Sequence, residues 1–138
     1  MKIYLLALVV LLSVGCADIA ESNTQNKTNL SDGEYKIISI TINNDILEIP
    51  QKATFNIKDN RVYGNAGCNN YFGGFVKNDD GSVSFFTIGS TRMLCPDGYA
   101  NQFEYKYLRS LDSTFRLSKN GKDIILENPS SKIIVNKN

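Results

Sequence analysis

The residues that bear on chemistry are three cysteines, a set of asparagines and a few carboxylates, and histidine is absent from all 138 residues. Without histidine there is no Ser-His-Asp or Cys-His nucleophile pair, and the commonest zinc ligand is gone. Asp97 and Glu104 remain as candidates for general acid–base work, yet no pair of carboxylates falls inside a distinctive motif. Two segments stand out instead. Residues 64–74 read GNAGCNNYFGG and residues 91–96 read TRMLCP. The first lacks the spacing of a phosphate loop and the Gly-Lys-Ser or Gly-Lys-Thr end that such a loop needs. Cys68 and Cys95 without histidine fall short of four zinc ligands. Asn69 and Asn70 have side chains that bond nearby backbone, so a turn that holds itself together is the plain expectation. Residue types and spacing therefore imply no catalytic residues, no metal and no cofactor.

Charge narrows the partners. Lys and Arg number 15 against 14 Asp and Glu, a net charge of +1. A near-neutral chain lacks the basic face that displaces phosphate counterions, so nucleic acid is not expected as a partner. The first 15 residues, MKIYLLALVVLLSVG, combine a lysine, a short apolar run and a small-residue exit. Those are the parts of a secretory signal peptide, and the run is shorter than the roughly 20 residues a spanning helix needs. Cys16 follows at once, and L-S-V-G-C resembles a bacterial lipobox, with Ser13 where leucine is commonest. That resemblance implies acyl chains on Cys16, which anchor a protein to a membrane without a spanning helix. Ala17 in place of aspartate implies the outer membrane, with the protein facing the periplasm. Residues 16–30 then form the lipidated cysteine and a polar segment without hydrophobic period, expected to be a flexible tether. Residues 31–138 form one domain.

Short strands must position the two motif segments. Residues 34–42 are rich in isoleucine, and their apolar parity shifts between Ile37 and Ile38, a bulge signal. Ala53, Phe55 and Ile57 alternate with polar residues, and 58–60 turn the chain into 61–64. Runs at 71–77 and 82–88 flank Asn78-Asp79-Asp80-Gly81, while Asn120-Gly121 joins 115–117 to 124–126. Pro129 precedes a last strand at 133–135. One helix is predicted over 98–111, with Ala100, Phe103, Tyr107, Leu108 and Leu111 on its apolar face. Its start is capped either by an Asn101/Glu104 capping box or by Asp97 one turn earlier. Seven or eight antiparallel strands with one helix give an α+β fold: a partly closed, barrel-like sheet with a packed helix.

Taken together, the two segments, the helix and the hairpins resemble the META domain of the HslJ-like heat-shock lipoproteins. Gly64, Gly67, Cys68, Asn69 and Tyr71 match its Gly-x-x-Gly-Cys-Asn-x-Tyr type of segment. Thr91, Met93 and Cys95 match its Thr-x-Met-x-Cys, and 104–108 its acidic and leucine-bearing helix. The chain has no tryptophan, and Tyr35 stands where such domains carry one near the first strand. The resemblance implies an envelope protein of stress tolerance and brings no catalytic residues with it. The expected function is a non-catalytic envelope lipoprotein, a stress-response or binding module with an unidentified envelope protein as partner. An inhibitor of a periplasmic hydrolase and a carboxylate-based enzyme are the alternatives. Acylation of Cys16 leaves an even pair of cysteines in an exported chain. A disulfide between Cys68 and Cys95 is expected, two buried thiols being the alternative.

Overall fold

A computed structural model describes residues 27–138. The expected signal peptide, Cys16 and the expected tether as far as residue 26 lie outside the described residues. Among the described residues, no helix is long and apolar enough to cross a membrane.

In the described residues nine antiparallel strands run β1 (Gly33–Ile42), β2 (Asp45–Ile46), β3 (Phe55–Lys58), β4 (Arg61–Asn65), β5 (Asn70–Lys77), β6 (Val83–Ser90), β7 (Thr114–Asn120), β8 (Asp123–Glu127) and β9 (Ser131–Lys137). One helix, α1 (Gly98–Leu111), separates β6 from β7. Each strand pairs with its neighbour in the order β1-β3-β4-β5-β6-β7-β8-β9, and β1 returns to pair with β9. Eight strands thus close into a barrel with one helix, which removes most of the sheet's open edges. The parity shift at Ile37 and Ile38 is a bulge in β1, where its register against β9 slips between Ile37 and Ser39. The extra residue lets Ile37 and Ile40 both face the core. The two-residue β2 is an addition to the expected set. Asn43 and Asn44, at φ 49° and 70°, fold it back on β1. That pair of adjacent asparagines was the signal for it in the sequence, since asparagine tolerates positive φ.

Aromatic rings fill the barrel. Phe85 lies 5.8 Å from Phe55, 5.9 Å from Phe115 and 5.4 Å from Phe75, centroid to centroid. Tyr35 touches Phe55 edge to face at 5.9 Å, so it occupies the aromatic core place expected of it. Its hydroxyl donates to the Ser31 carbonyl at 2.6 Å. Exposed Phe86 has a structural reason on the outer surface, since its ring covers the bare backbone of Gly74 across the β5–β6 pair.

One boundary needs correction. The tether was expected to run through Leu30, yet Leu30 is fully buried in the core cluster. A single leucine in a polar stretch carries no period, so pattern reading had nothing to detect there. Burying it removes a large apolar side chain from water, which explains why the packed domain begins before residue 31. Leu30→Ala should cost about 2–5 kcal/mol of stability, the range for truncating a buried leucine. A chain beginning at Ser31 should show a similar loss against one beginning at Lys27. Urea midpoints of the three proteins check this, and coincident midpoints would contradict it.

Candidate functional site

The motif segments sit at one end of the barrel, on the β4–β5 connection and on the loop between β6 and α1. Asn65 shapes the first. Its Oδ1 accepts from the Gly67 amide at 2.8 Å, and its Nδ2 donates to the Cys68 carbonyl at 3.3 Å and to Asn70 Oδ1 at 3.1 Å. Gly67 takes φ +95° with its α-carbon against the Pro50 ring, where a side chain would be both strained and crowded. At Gly64 an added Cβ would run into the Thr54 carbonyl. The self-holding turn expected of Asn69 and Asn70 is therefore the work of Asn65.

Asn69 does something else. It is buried, 3% exposed, and its side chain faces away from its own turn. Oδ1 accepts from the Met93 amide at 2.7 Å and from the Thr91 hydroxyl at 3.0 Å. Nδ2 donates to the Met93 carbonyl at 3.2 Å and to Glu104 Oε1 at 3.0 Å. The Asn69 backbone amide donates to Glu104 Oε2 at 2.8 Å, and its carbonyl accepts from Ala66 at 2.8 Å. Every polar group of this buried residue is used, which is the condition for burying an amide without penalty. One side chain thus ties the β4–β5 turn, the 91–95 loop and the helix together.

The helix is placed to supply Glu104. Asp97 caps its N-terminus, accepting from the Tyr99 amide at 2.9 Å. The alternative capping box does not form. Asn101 donates to the Cys95 carbonyl at 3.1 Å, and Glu104 reaches Asn69. Ala100, Phe103, Tyr107 and Leu111 are the buried face. Glu104 stands next to Phe103 in sequence, at the edge of that face, half-buried against the two loops. Cys68 and Cys95 form a disulfide with Cα atoms 6.0 Å apart, inside the range that a bridge requires. It joins the same two loops as Asn69. Tyr99 adds a further tie by donating its hydroxyl to the Glu48 carbonyl.

Beneath the loops, the Tyr71 hydroxyl donates to the Thr54 carbonyl at 2.9 Å. Its single proton is then spent, so the Tyr107 hydroxyl donates to it across 2.9 Å. Tyr71 is 1% exposed and Tyr107 is fully buried. Burial pushes both phenols above their ordinary value, Tyr71 further by the neighbouring Tyr107. Both stay neutral at any physiological pH. Tyr107 was legible only as a core position, and Thr54 carried no signal, because a backbone carbonyl's partner depends on strand pairing.

The sequence-chosen residues Gly64, Gly67, Cys68, Asn69, Tyr71, Thr91, Met93 and Cys95 therefore converge. Met93 takes part through its backbone, while its side chain is 60% exposed. Leu94 beside it is 95% exposed. Among the described residues, no cluster of three or more Cys, Asp and Glu is arranged to hold a metal ion. Asp97 and Glu104, the two candidate carboxylates, are engaged by the helix N-terminus and by Asn69 respectively.

Two outcomes follow from this geometry. Neutral Tyr71 and Tyr107 stabilise the folded state fully below the unfolded phenol pKa of about 10, and that contribution is lost as pH rises through their higher folded values. Stability should fall above about pH 10, and the tyrosinate absorbance of these two rings should appear only with unfolding. Tyrosinate formation complete before any loss of circular dichroism would contradict this. Separately, Cys68→Ser should lower stability by about 3.5 kcal/mol, the chain-entropy estimate for cysteines 27 positions apart. Guanidinium unfolding of the oxidised protein and the variant measures the difference.

Comparison with known proteins agrees with this architecture. A solved protein from Burkholderia xenovorans, determined by NMR, superposes with a TM-score of 0.64 at 23% identity, covering 79% of this chain and 83% of its own. A second protein solved by NMR superposes at 0.56 and 12% identity, covering 77% of this chain and 90% of its own. At such identities these likenesses concern the fold alone. No curated protein sequence is a significant match. The META domain family model matches residues 28–137, which takes in Leu30, both motif segments, the helix and every strand, and the chain belongs to the META-domain family.

Proposed function

We propose that the chain is a lipid-anchored protein of the bacterial cell envelope, held by acyl chains on Cys16 at the outer membrane and facing the periplasm. Its META domain serves there as a non-catalytic module that binds an envelope protein under stress. One observation carries the reading. The polar groups of the motif bond one another, while the loop they clamp carries Met93 and Leu94 outward, 60% and 95% exposed. Catalysis needs titratable groups free to meet a substrate. Binding needs apolar side chains on a backbone that loses little freedom on docking, and this loop supplies them. Asn69 and the Cys68–Cys95 bridge fix it at Met93 and Cys95.

The same exposed leucine favours a second reading, an inhibitor of a periplasmic hydrolase. A rigid loop with an apolar tip is suited to filling an active-site cleft. A carboxylate-based enzyme has less support, because Asp97 and Glu104 already serve as cap and clamp.

Leu94→Asp should leave the melting temperature unchanged, as exposed substitutions shift stability by no more than about 0.5 kcal/mol. It should also abolish cross-linking of the protein to its envelope partner in intact cells. If the partner is a hydrolase, purified protein should inhibit that hydrolase in extracts and the variant should not. Equal cross-linking by both proteins would contradict the docking role of the loop. For the anchor, Cys16→Ser should lose palmitate labelling and move from the detergent phase to the aqueous phase. Unchanged partitioning would refute it.

A further inference from the structure

The ladder between β6 and β7 is left open over most of its length. β7 pairs with β6 only at Val83 and Ser84, and the last bond across this seam runs from the Phe85 amide to the Ser113 carbonyl at 2.9 Å. Among the described residues, no strand lies beyond that point on the side of β6 that faces away from β5. The reason is topological, since residues 91–113 are spent on the motif loop, α1 and the turn into β7. The Thr91 amide donates to the Asn70 carbonyl at 2.9 Å. By antiparallel alternation the amide and carbonyl of Ser90 therefore point away from β5, and just before it the ladder is broken by a bulge, where Thr87 (φ 54°) and Ile88 together oppose Gly73. The Ser90 groups face a groove of about 550 Å³ between this edge and α1.

The walls of the groove indicate what fits. Ile88 and Leu108 give it an apolar floor, with Arg92 and Arg109 on its walls. Arg109 is held in place, its Nη1 donating to the Tyr105 hydroxyl at 2.7 Å and its guanidinium 5.5 Å from the Tyr105 ring centroid. Glu104, also on the wall, has both carboxylate oxygens taken by Asn69. Its charge is thereby turned to the motif loops, and Asp112 is the remaining acid of the lining. A free strand edge offers donors and acceptors at the spacing of another backbone, and residues 88–90, beyond the bulge at Thr87, span about 10 Å at 3.3 Å per residue.

We infer that this groove binds an extended peptide segment of a partner protein as an added strand on β6, with an acidic side chain of the segment meeting Arg92 and Arg109. The inference rests on the reading of the domain as a binding module and names the partner's form. The motif contributes directly. Asn69 fixes both the loop that leaves β6 and the helix that forms the opposite wall, so the groove is built before any ligand arrives.

The test uses the chain bearing Cys16→Ser and a seven-residue peptide alternating valine with aspartate or glutamate, blocked at both ends. In amide NMR titrations, shifts should concentrate on Ile88, Ser90 and the exposed face of α1, and the Ser90 amide should exchange at least tenfold more slowly. The same peptide N-methylated at alternate residues should not bind. Ser90→Pro removes a donor that β5 does not use, and should weaken binding at least tenfold. Arg109→Gln, which leaves the backbone untouched, should weaken binding tenfold and flatten its salt dependence, so the inference stays testable if the proline variant fails to fold. Absence of shifts at 1 mM peptide (on the order of the weakest affinity that would matter) would overturn the strand site. So would shifts confined to residues 93 and 94. Either result would leave the Leu94 cross-link, and with it the binding-module reading, intact. Slow Ser90 exchange in the free chain that is lost on dilution would overturn it in favour of a second copy on the edge. Slow exchange lost on deleting residues 17–26 would overturn it in favour of the chain's own N-terminal segment.

Discussion

The grip of Asn69 on Glu104 is the constraint from which the rest of this end of the molecule follows. A carboxylate on a helix accepts from both the backbone and the side-chain amide of one buried asparagine, at 2.8 and 3.0 Å. Bonds to an ionised acceptor are stronger than neutral ones, and these two form where one partner is almost fully buried. The other face of the same amide is spent on residues 91 and 93. Three segments distant in sequence are thereby held by one side chain. Losing either partner would leave donors or a charge without compensation, which costs more than the bond itself contributes.

Covalent and non-covalent ties divide the work. The Cys68–Cys95 bridge limits how far the two loops separate in the unfolded chain, whereas the amide network sets their relative orientation in the folded one. Below them the Tyr71–Tyr107 pair closes the barrel end with a polar contact that is satisfied through Thr54. The helix consequently bonds the barrel at two depths, by Tyr107 inside and Glu104 at the rim. Two anchors on successive turns of one face fix its rotation as well as its distance. This leaves the β6 edge open beside a helix that has no freedom to cover it.

Much of the fold was legible because its signals are local. The parity shift at Ile37 and Ile38 marked the β1 bulge, Asn120-Gly121 marked the β7–β8 turn, and the 3.6-residue spacing of Ala100, Phe103, Tyr107 and Leu111 marked the helix within its observed ends. What escaped depends on contacts across the fold. Leu30 has no periodic neighbours, Glu104 reads as a capping partner because its true partner is 35 residues away, and the pairing of Tyr71 with Tyr107 depends on where the helix docks. The motif residues stand out as a set through the family resemblance. Their individual contacts are not legible, since Asn69 and Asn65 differ only in which way their amides face.

The most direct test of this account is a double-mutant cycle on Asn69→Ala and Glu104→Ala, followed by urea unfolding of the oxidised protein. The account predicts that each single variant loses at least about 2 kcal/mol and that the double variant loses little more, a coupling above about 1 kcal/mol. Losses that simply add, to within about 0.5 kcal/mol, would mean that the two residues act independently and that the helix is held to the motif loops by something else.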